Sequence, residues 1–218
     1  MVDYARARRT MVDCQVRPAD VTDLRIIAAL LDVPREAFVP AARQAIAYLD
    51  LDVPVSDSGR ALLKPMVLAR LLQAAGIGEG DHVLDVGCAT GYSAAVLAKL
   101  AGRVVALEED AALARAAGTA MASAGVGNVT VTLGKLNEGA PFSGPYDAIV
   151  LEGASEIVPD SLLSQLRDGG RLVAVVGFGP LARAILYRMT DGHATAQPLF
   201  DAAAPLLPGF VKPPAFVF

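Results

Sequence analysis

The chain has 218 residues, 54% of them apolar, and 23 acidic against 19 basic side chains leave a net charge of -4. That is the size of one enzyme-sized domain with a large core, and the acidic balance, with no basic cluster beyond Arg6, Arg8 and Arg9, speaks against nucleic acid. No uncharged run reaches the roughly 18–20 apolar residues that span a bilayer, and the first residues lack the apolar stretch of a secretory signal, so a cytoplasmic location is expected.

Residues 1–75 read as an N-terminal cap, partly helical, whose loops face the functional site. Arg6 to Arg9 suggest a solvated helix face. A helix is expected over residues 20–31, with Thr22 or Asp23 as N-cap and Leu24, Ile27, Ala28 and Leu31 at helical spacing. Pro34, Pro40, Pro54 and Pro65 then interrupt the chain too often for long elements. From Pro65 a second helix, over residues 66–75, leads into the core.

Residues 76–218 alternate strand and helix. Strands are expected at 82–87, 103–108, 129–133, 148–151 and 171–177, several of them too continuously apolar for a sheet with only one buried face. Helices are expected at 92–100, 110–124 and 159–166, with Gly125-Val126-Gly127-Asn128 ending one and Asp168-Gly169-Gly170 ending another. This rhythm predicts an α/β fold: a Rossmann-like, doubly wound, mostly parallel sheet covered on both faces. Residues 183–189 and the run from His193 flank Asp191-Gly192 as a hairpin, giving the sheet an antiparallel C-terminal edge. The apolar stretches 205–210 and 213–218 are expected to pack on the body.

The informative stretch is Val83-Leu84-Asp85-Val86-Gly87-Cys88-Ala89-Thr90-Gly91-Tyr92, followed by Val104-Val105-Ala106-Leu107-Glu108. A strand feeding a helix through a tight turn needs residues that tolerate unusual dihedrals and expose bare backbone, which Gly87 and Gly91 supply. A carboxylate at the tip of the next strand, Glu108, can accept hydrogen bonds from ribose hydroxyls. The pattern therefore points to the adenosine half of a cofactor. Counted from Gly87, the dinucleotide fingerprint fails at Ala89 and Tyr92, where it requires glycine. The turn is instead similar to the acid-x-Gly-x-Gly-x-Gly loop of S-adenosylmethionine-dependent methyltransferases, with Asp85 as the leading acid. Cys14 and Cys88 match no metal or redox spacing, His82 and His193 share no motif, and no metal is expected.

The wider sequence resembles the protein-L-isoaspartate O-methyltransferases. The likeness is carried by Met11-Val12, Gln15, Val33-Pro34-Arg35-Glu36-x-Phe38-Val39-Pro40, Ala47-Tyr48-x-Asp50, Gly59, Pro65 and the cofactor turn. It continues through Pro145-Tyr146-Asp147, Pro159, Gly169-Gly170-Arg171-Leu172 and Val176-Gly177. It implies methyl transfer from S-adenosylmethionine to a carboxylate of isomerised Asp and Asn sites in protein or peptide substrates. It also implies a cofactor site formed by Asp85, Gly87, Cys88, Ala89, Gly91, Glu108, Glu109, Gly134 and Lys135.

At the family's acceptor hydroxyl positions this chain has Ala61 and Leu63, and where the family has Gly-Asp-Gly it has Gly134-Lys135-Leu136. Catalytic residues are therefore not assigned from the sequence. Two alternatives stay open: a methyltransferase acting on another acceptor, such as a small molecule, and a non-catalytic protein that binds the cofactor.

Overall fold

The computed structural model describes residues 2–212. Helix α1 (Tyr4–Met11) starts at Asp3, whose side chain caps the Arg6 N–H, and helix α2 (Leu24–Asp32) starts at Asp23, which accepts from the Arg25 N–H at 2.8 Å. The buried face of α2 is Ile26, Ile27, Ala29 and Leu30, whereas Leu24 is 72% exposed. The expected face was rotated by about one position, because apolar residues on adjacent faces leave the phase of a short helix to tertiary packing. Arg8 also departs from the solvated face expected of it. Its guanidinium donates to the Tyr48 hydroxyl (2.9 Å) and the Leu31 carbonyl (3.1 Å).

Strands β1 (Val53–Pro54) and β2 (Ala61–Leu62), not foreseen in the sequence, pair antiparallel and press residues 60–63 against the body. Helix α3 (Pro65–Ala75) begins with proline, whose missing N–H costs nothing in a first turn, and ends on Gly76 at φ 56°.

The main sheet then builds in chain order: β3 (His82–Val86), α4 (Tyr92–Leu97), β4 (Arg103–Glu108), α5 (Ala111–Ser123), β5 (Val129–Leu133), β6 (Tyr146–Ser155), α6 (Asp160–Leu163), β7 (Leu166–Val176), β8 (Arg183–Thr190) and β9 (His193–Asp201). The spatial order is β5-β4-β3-β6-β7-β8-β9, parallel from β5 through β7 and antiparallel at β8 and β9. After β5 the chain crosses back to the other side of β3. The carboxyl ends of β3 and β6 therefore form the switch point, where open α/β sheets bind ligands.

Period-2 alternation divides the core between two faces. Val83, Val104, Ala106, Ala148 and Val150 join one cluster with Leu30, Leu68, Leu72, Leu97 and Ala117, so the N-terminal helices and α3 to α5 share one core with the sheet. Leu84, Val86, Val105, Leu107, Ile149 and Leu151 form the other. That second face is covered by Leu136, Leu162, Leu207 and Phe210, from short turns, α6 and the C-terminal segment.

Two expectations are corrected on this second face. The helix expected over 159–166 is the single turn α6, and Asp168-Gly169-Gly170 lies inside β7. The glycine pair serves a bulge: pairing with β6 slips between Tyr146 and Ala148, Gly169 has φ 74°, and a Cβ on Gly170 would stand 2.7 Å from the Arg167 carbonyl oxygen. Strand β6 also runs beyond residue 151, where Ala154 and Ser155 pair with Val175 and Val176 of β7 and Ala154 bridges to Leu206 of the C-terminal segment. The 205–210 stretch thus packs on the body, with Leu207 and Phe210 buried. The expectation for 213–218 lies outside the described residues. No helix among the described residues is long and apolar enough to cross a membrane.

One buried cation joins three segments of the chain. Arg35, fully buried, donates through Nε to the Ala47 carbonyl (2.7 Å) and through Nη2 to the Leu63 carbonyl (2.7 Å), with its guanidinium carbon 4.7 Å from the centre of the Tyr92 ring. Arg35→Met would leave two buried carbonyls unpaired, and a loss of about 2–4 kcal/mol is expected. Denaturant unfolding measures it; an unchanged midpoint would contradict this role.

Candidate active site

Between β3 and α4 the backbone takes left-handed dihedrals at Gly87 (φ 83°), Ala89 (φ 52°) and Gly91 (φ 94°). The Gly87 and Cys88 N–H groups both donate to the Leu107 carbonyl, at 2.8 and 3.1 Å. A Cβ on Gly91 would stand 3.1 Å from Ala117 Cβ and 3.2 Å from Met121 Cε, so the missing side chain lets the turn lie close on α5. Ala89 costs about 1–2 kcal/mol in this conformation. Its N–H is rewarded by the Glu108 Oε2 at 2.8 Å.

The Val33–Pro40 stretch grips the same turn from the cap side. Thr90 Oγ donates to the Phe38 carbonyl at 2.5 Å, and the Phe38 ring meets the Tyr92 ring edge-on at 5.7 Å. Arg35 covers the other side of Tyr92. This is why that stretch and the turn belong together: one holds the other in place.

Glu108 is fully buried at the tip of β4. Its Oε1 accepts from the Glu109 N–H (3.0 Å) and the Asp110 N–H (3.2 Å), and its Oε2 accepts from Ala89 N–H and from Arg60 Nη2 (3.1 Å). The same Arg60 nitrogen donates to the Gly87 carbonyl at 2.5 Å. A guanidinium therefore lies on both acceptors that the turn and strand tip offer to a nucleoside. Leu207 closes the crevice further: a Cβ on Gly87 would stand 2.6 Å from Arg60 Nη2 and 3.1 Å from Leu207 Cδ2, and one on Gly153 would stand 2.7 Å from Leu207. The crevice is closed by the chain's own side chains.

Beneath the turn, Asp85 is buried and accepts from Ser93 Oγ at 2.7 Å through Oδ2, while its Oδ1 has no partner among the described residues. Burial pushes its pKa up to about 7; the Ser93 hydrogen bond pulls it down, Glu108 adds to the rise, and Arg60 opposes it. Glu152, in the carboxyl half of β6, is also buried, with Oε1 unpartnered among the described residues. Burial lifts its pKa well above the ordinary carboxylate range, Asp85 lifts it further, and Arg60 and Arg35 act against both. Glu152 borders one tight hollow with Ala61, Leu63, Gly87, Cys88 and Ala89. Cys88 is buried there, its thiol pKa raised by desolvation.

Of the residues singled out in the sequence, Gly87, Cys88, Ala89 and Gly91 form the turn, Asp85 lies beneath it, and Glu108 accepts from the Ala89 N–H. Glu109 and Gly134 lie on the rim of the crevice, where Glu109 Oε2 meets the Leu136 N–H at 3.4 Å and the Gly134 N–H donates to the Glu108 carbonyl at 3.0 Å. Lys135 turns outward to pair with Glu138 at 3.0 Å. Arg60, Glu152 and Leu207 were missed as site residues. Nothing local in the sequence marks Glu152 or Leu207. A hollow of about 720 Å³ lies elsewhere, between the end of α2, α4 and α5, and its walls are mostly alkyl.

A doubly wound α/β sheet with a glycine turn and a buried acid at its switch point defines a nucleoside-binding α/β protein. The sequence profile of the family Protein-L-isoaspartate(D-aspartate) O-methyltransferase matches residues 7–198, and the chain belongs to that family. A relative from Rhodopseudomonas palustris (strain HaA2), Protein-L-isoaspartate O-methyltransferase 1, is 41% identical over 174 residues, 80% of this chain and 71% of the relative. One from Roseiflexus castenholzii, a protein-L-isoaspartate O-methyltransferase, is 35% identical over 210 residues, 95% of each chain. Among solved structures, a protein-L-isoaspartate O-methyltransferase superimposes with TM-score 0.82 at 24% identity, over 93% of this chain and 66% of that one. A Plasmodium falciparum chain assigned to the same class, solved in complex with S-adenosyl-L-homocysteine, gives 0.77 at 18% identity, over 95% and 99%. These two likenesses bear on the fold.

Two variants test the electrostatics of the crevice. Glu108→Gln replaces the anion held by Arg60 and by the Ala89, Glu109 and Asp110 amides with a neutral group, and a loss of about 1–3 kcal/mol in unfolding free energy is expected; no change would contradict the pairing. For Asp85, the folded chain keeps the proton up to about pH 7, while the unfolded chain releases it near 3.8. Its contribution is therefore present below about pH 4 and lost as pH rises through 7. The stability of the parent minus that of Asp85→Asn should fall across this window, and a flat difference would contradict the assignment.

Proposed function

We infer that this chain uses S-adenosylmethionine to methylate a carboxylate of isomerised Asp and Asn sites in proteins, a repair reaction. Family membership over residues 7–198 supports the reading, and the observation that carries it is the buried Glu108 facing the Gly87–Gly91 turn at the switch point. Bound S-adenosylmethionine would supply an electrophilic methyl group on a sulfonium.

The residues fit such a group in kind. Glu108 accepts hydrogen bonds, Gly87 and Gly91 leave bare backbone, and Asp85 and Glu152 each keep an unpartnered buried oxygen. Glu108, where Arg60 now sits, and the bare backbone of Gly87, beside Leu207, would hold the nucleoside part. Glu109 and Gly134 would border the ligand, while the Lys135 side chain pairs with Glu138.

The chemistry asks the protein for placement more than for reactive groups. A carboxylate is already a nucleophile, so no base is required, and orientation in a crevice that excludes water supplies the acceleration. Ala61 and Leu63 are buried and give the acceptor side an alkyl wall. Arg35 holds that wall in place through the Leu63 carbonyl. Both cysteines are unpaired, in keeping with a reducing compartment such as the cytoplasm.

The direct test is transfer of labelled methyl to an isoaspartyl peptide and to its aspartyl twin. Label on the isoaspartyl peptide alone is expected. Label on neither at high enzyme concentration would contradict the reading.

A further inference from the structure

We propose that Arg60 is a positioning residue with two resting places: on Glu108 while the crevice is closed, and on Glu152 when a nucleoside holds Glu108. This deepens the function inferred above and rests on it.

The closed state is fully described by the contacts. Arg60 Nη2 reaches the Gly87 carbonyl and Glu108 at 2.5 and 3.1 Å, while Arg60 Nε is buried without a partner among the described residues. Glu152 stands across the hollow with a buried, unpartnered Oε1. A buried donor on Arg60 and a buried acceptor on Glu152, each without a partner among the described residues, both cost free energy. Their pairing would relieve both.

The competition follows from geometry. Gly87 has no room even for a methyl group beside the guanidinium, so a ligand lying on that glycine cannot coexist with Arg60 in its present place. Hydroxyls donating to Glu108 satisfy the same oxygen that Arg60 now uses. A guanidinium expelled from one buried carboxylate needs another anion or water. Asp85 already accepts from Ser93 and lies under the turn, whereas Glu152 opens on the hollow next to Ala61, the residue after Arg60.

The C-terminal segment reports the same change. Residues 205–210 are stitched to the end of β6 by Ala154 N–H to the Pro205 carbonyl (2.7 Å), Leu207 N–H to the Ala154 carbonyl (2.9 Å) and Glu156 N–H to the Phe210 carbonyl (2.9 Å). Leu207 is the residue of this segment that fills the crevice beside Arg60. Ligand on Gly87 therefore displaces both together.

Calorimetric titration with S-adenosylhomocysteine tests the exchange through binding alone, in the parent, Arg60→Ala, Glu152→Ala and the double variant. Arg60→Ala removes the competitor and should tighten binding; Glu152→Ala removes the second resting place and should weaken it, each by about tenfold for side chains coupled in one network. In the Arg60→Ala background, Glu152→Ala should change affinity by less than about twofold. Glu152→Gln, which keeps the volume, should match Glu152→Ala and so guard against collapse of the hollow. Equal effects of Glu152→Ala in both backgrounds, or weaker binding by Arg60→Ala, would overturn the exchange while leaving the cofactor reading intact. No heat with any of the proteins would overturn both.

Discussion

The carboxylate of Glu108 is the point on which the rest of the site depends. It sits at the tip of β4, and from there it fixes the turn after β3 through Ala89, the start of α5 through the Glu109 and Asp110 amides, and the acceptor-side segment through Arg60. A buried anion must be paid for by donors, and here the donors come from different elements of the fold. The catalytic geometry is therefore assembled by a charge that would otherwise be intolerable in the core.

The same reasoning explains why the neighbouring charges look unfinished. Asp85 and Glu152 are buried carboxyls with raised pKa values, and each leaves an oxygen without a partner, while Arg35 and Arg60 each leave a nitrogen without one. Native interiors carry few such groups, and those they keep cluster where something else binds. The crevice is closed by contacts that satisfy Glu108 but not its neighbours among the described residues.

The sheet and the turn were legible in the sequence because both depend on local pattern. Apolar runs of strand length marked the five parallel strands, Asp191-Gly192 marked the hairpin, and Gly87 and Gly91 marked the backbone's tight path. The phase of α2 was not legible, since Leu24 and Ile26 satisfy the spacing alike and only packing chooses between them. Asp168-Gly169-Gly170 was misread because glycines end helices and bend strands with the same residues. Arg60 and Glu108 are 48 residues apart, and Leu207 reaches Gly87 only because β6 runs on to meet Leu206. Such partners are set by tertiary contact, and no motif spacing announces them.

Crystals grown with S-adenosylhomocysteine would test the central claim most directly, through the electron density at the tip of β4. The account requires ribose hydroxyls on Glu108, with Arg60 withdrawn toward Glu152 and Leu207 lifted from Gly87. Density that leaves Arg60 on Glu108 and Leu207 in the crevice, with the nucleoside bound elsewhere or absent, would contradict it.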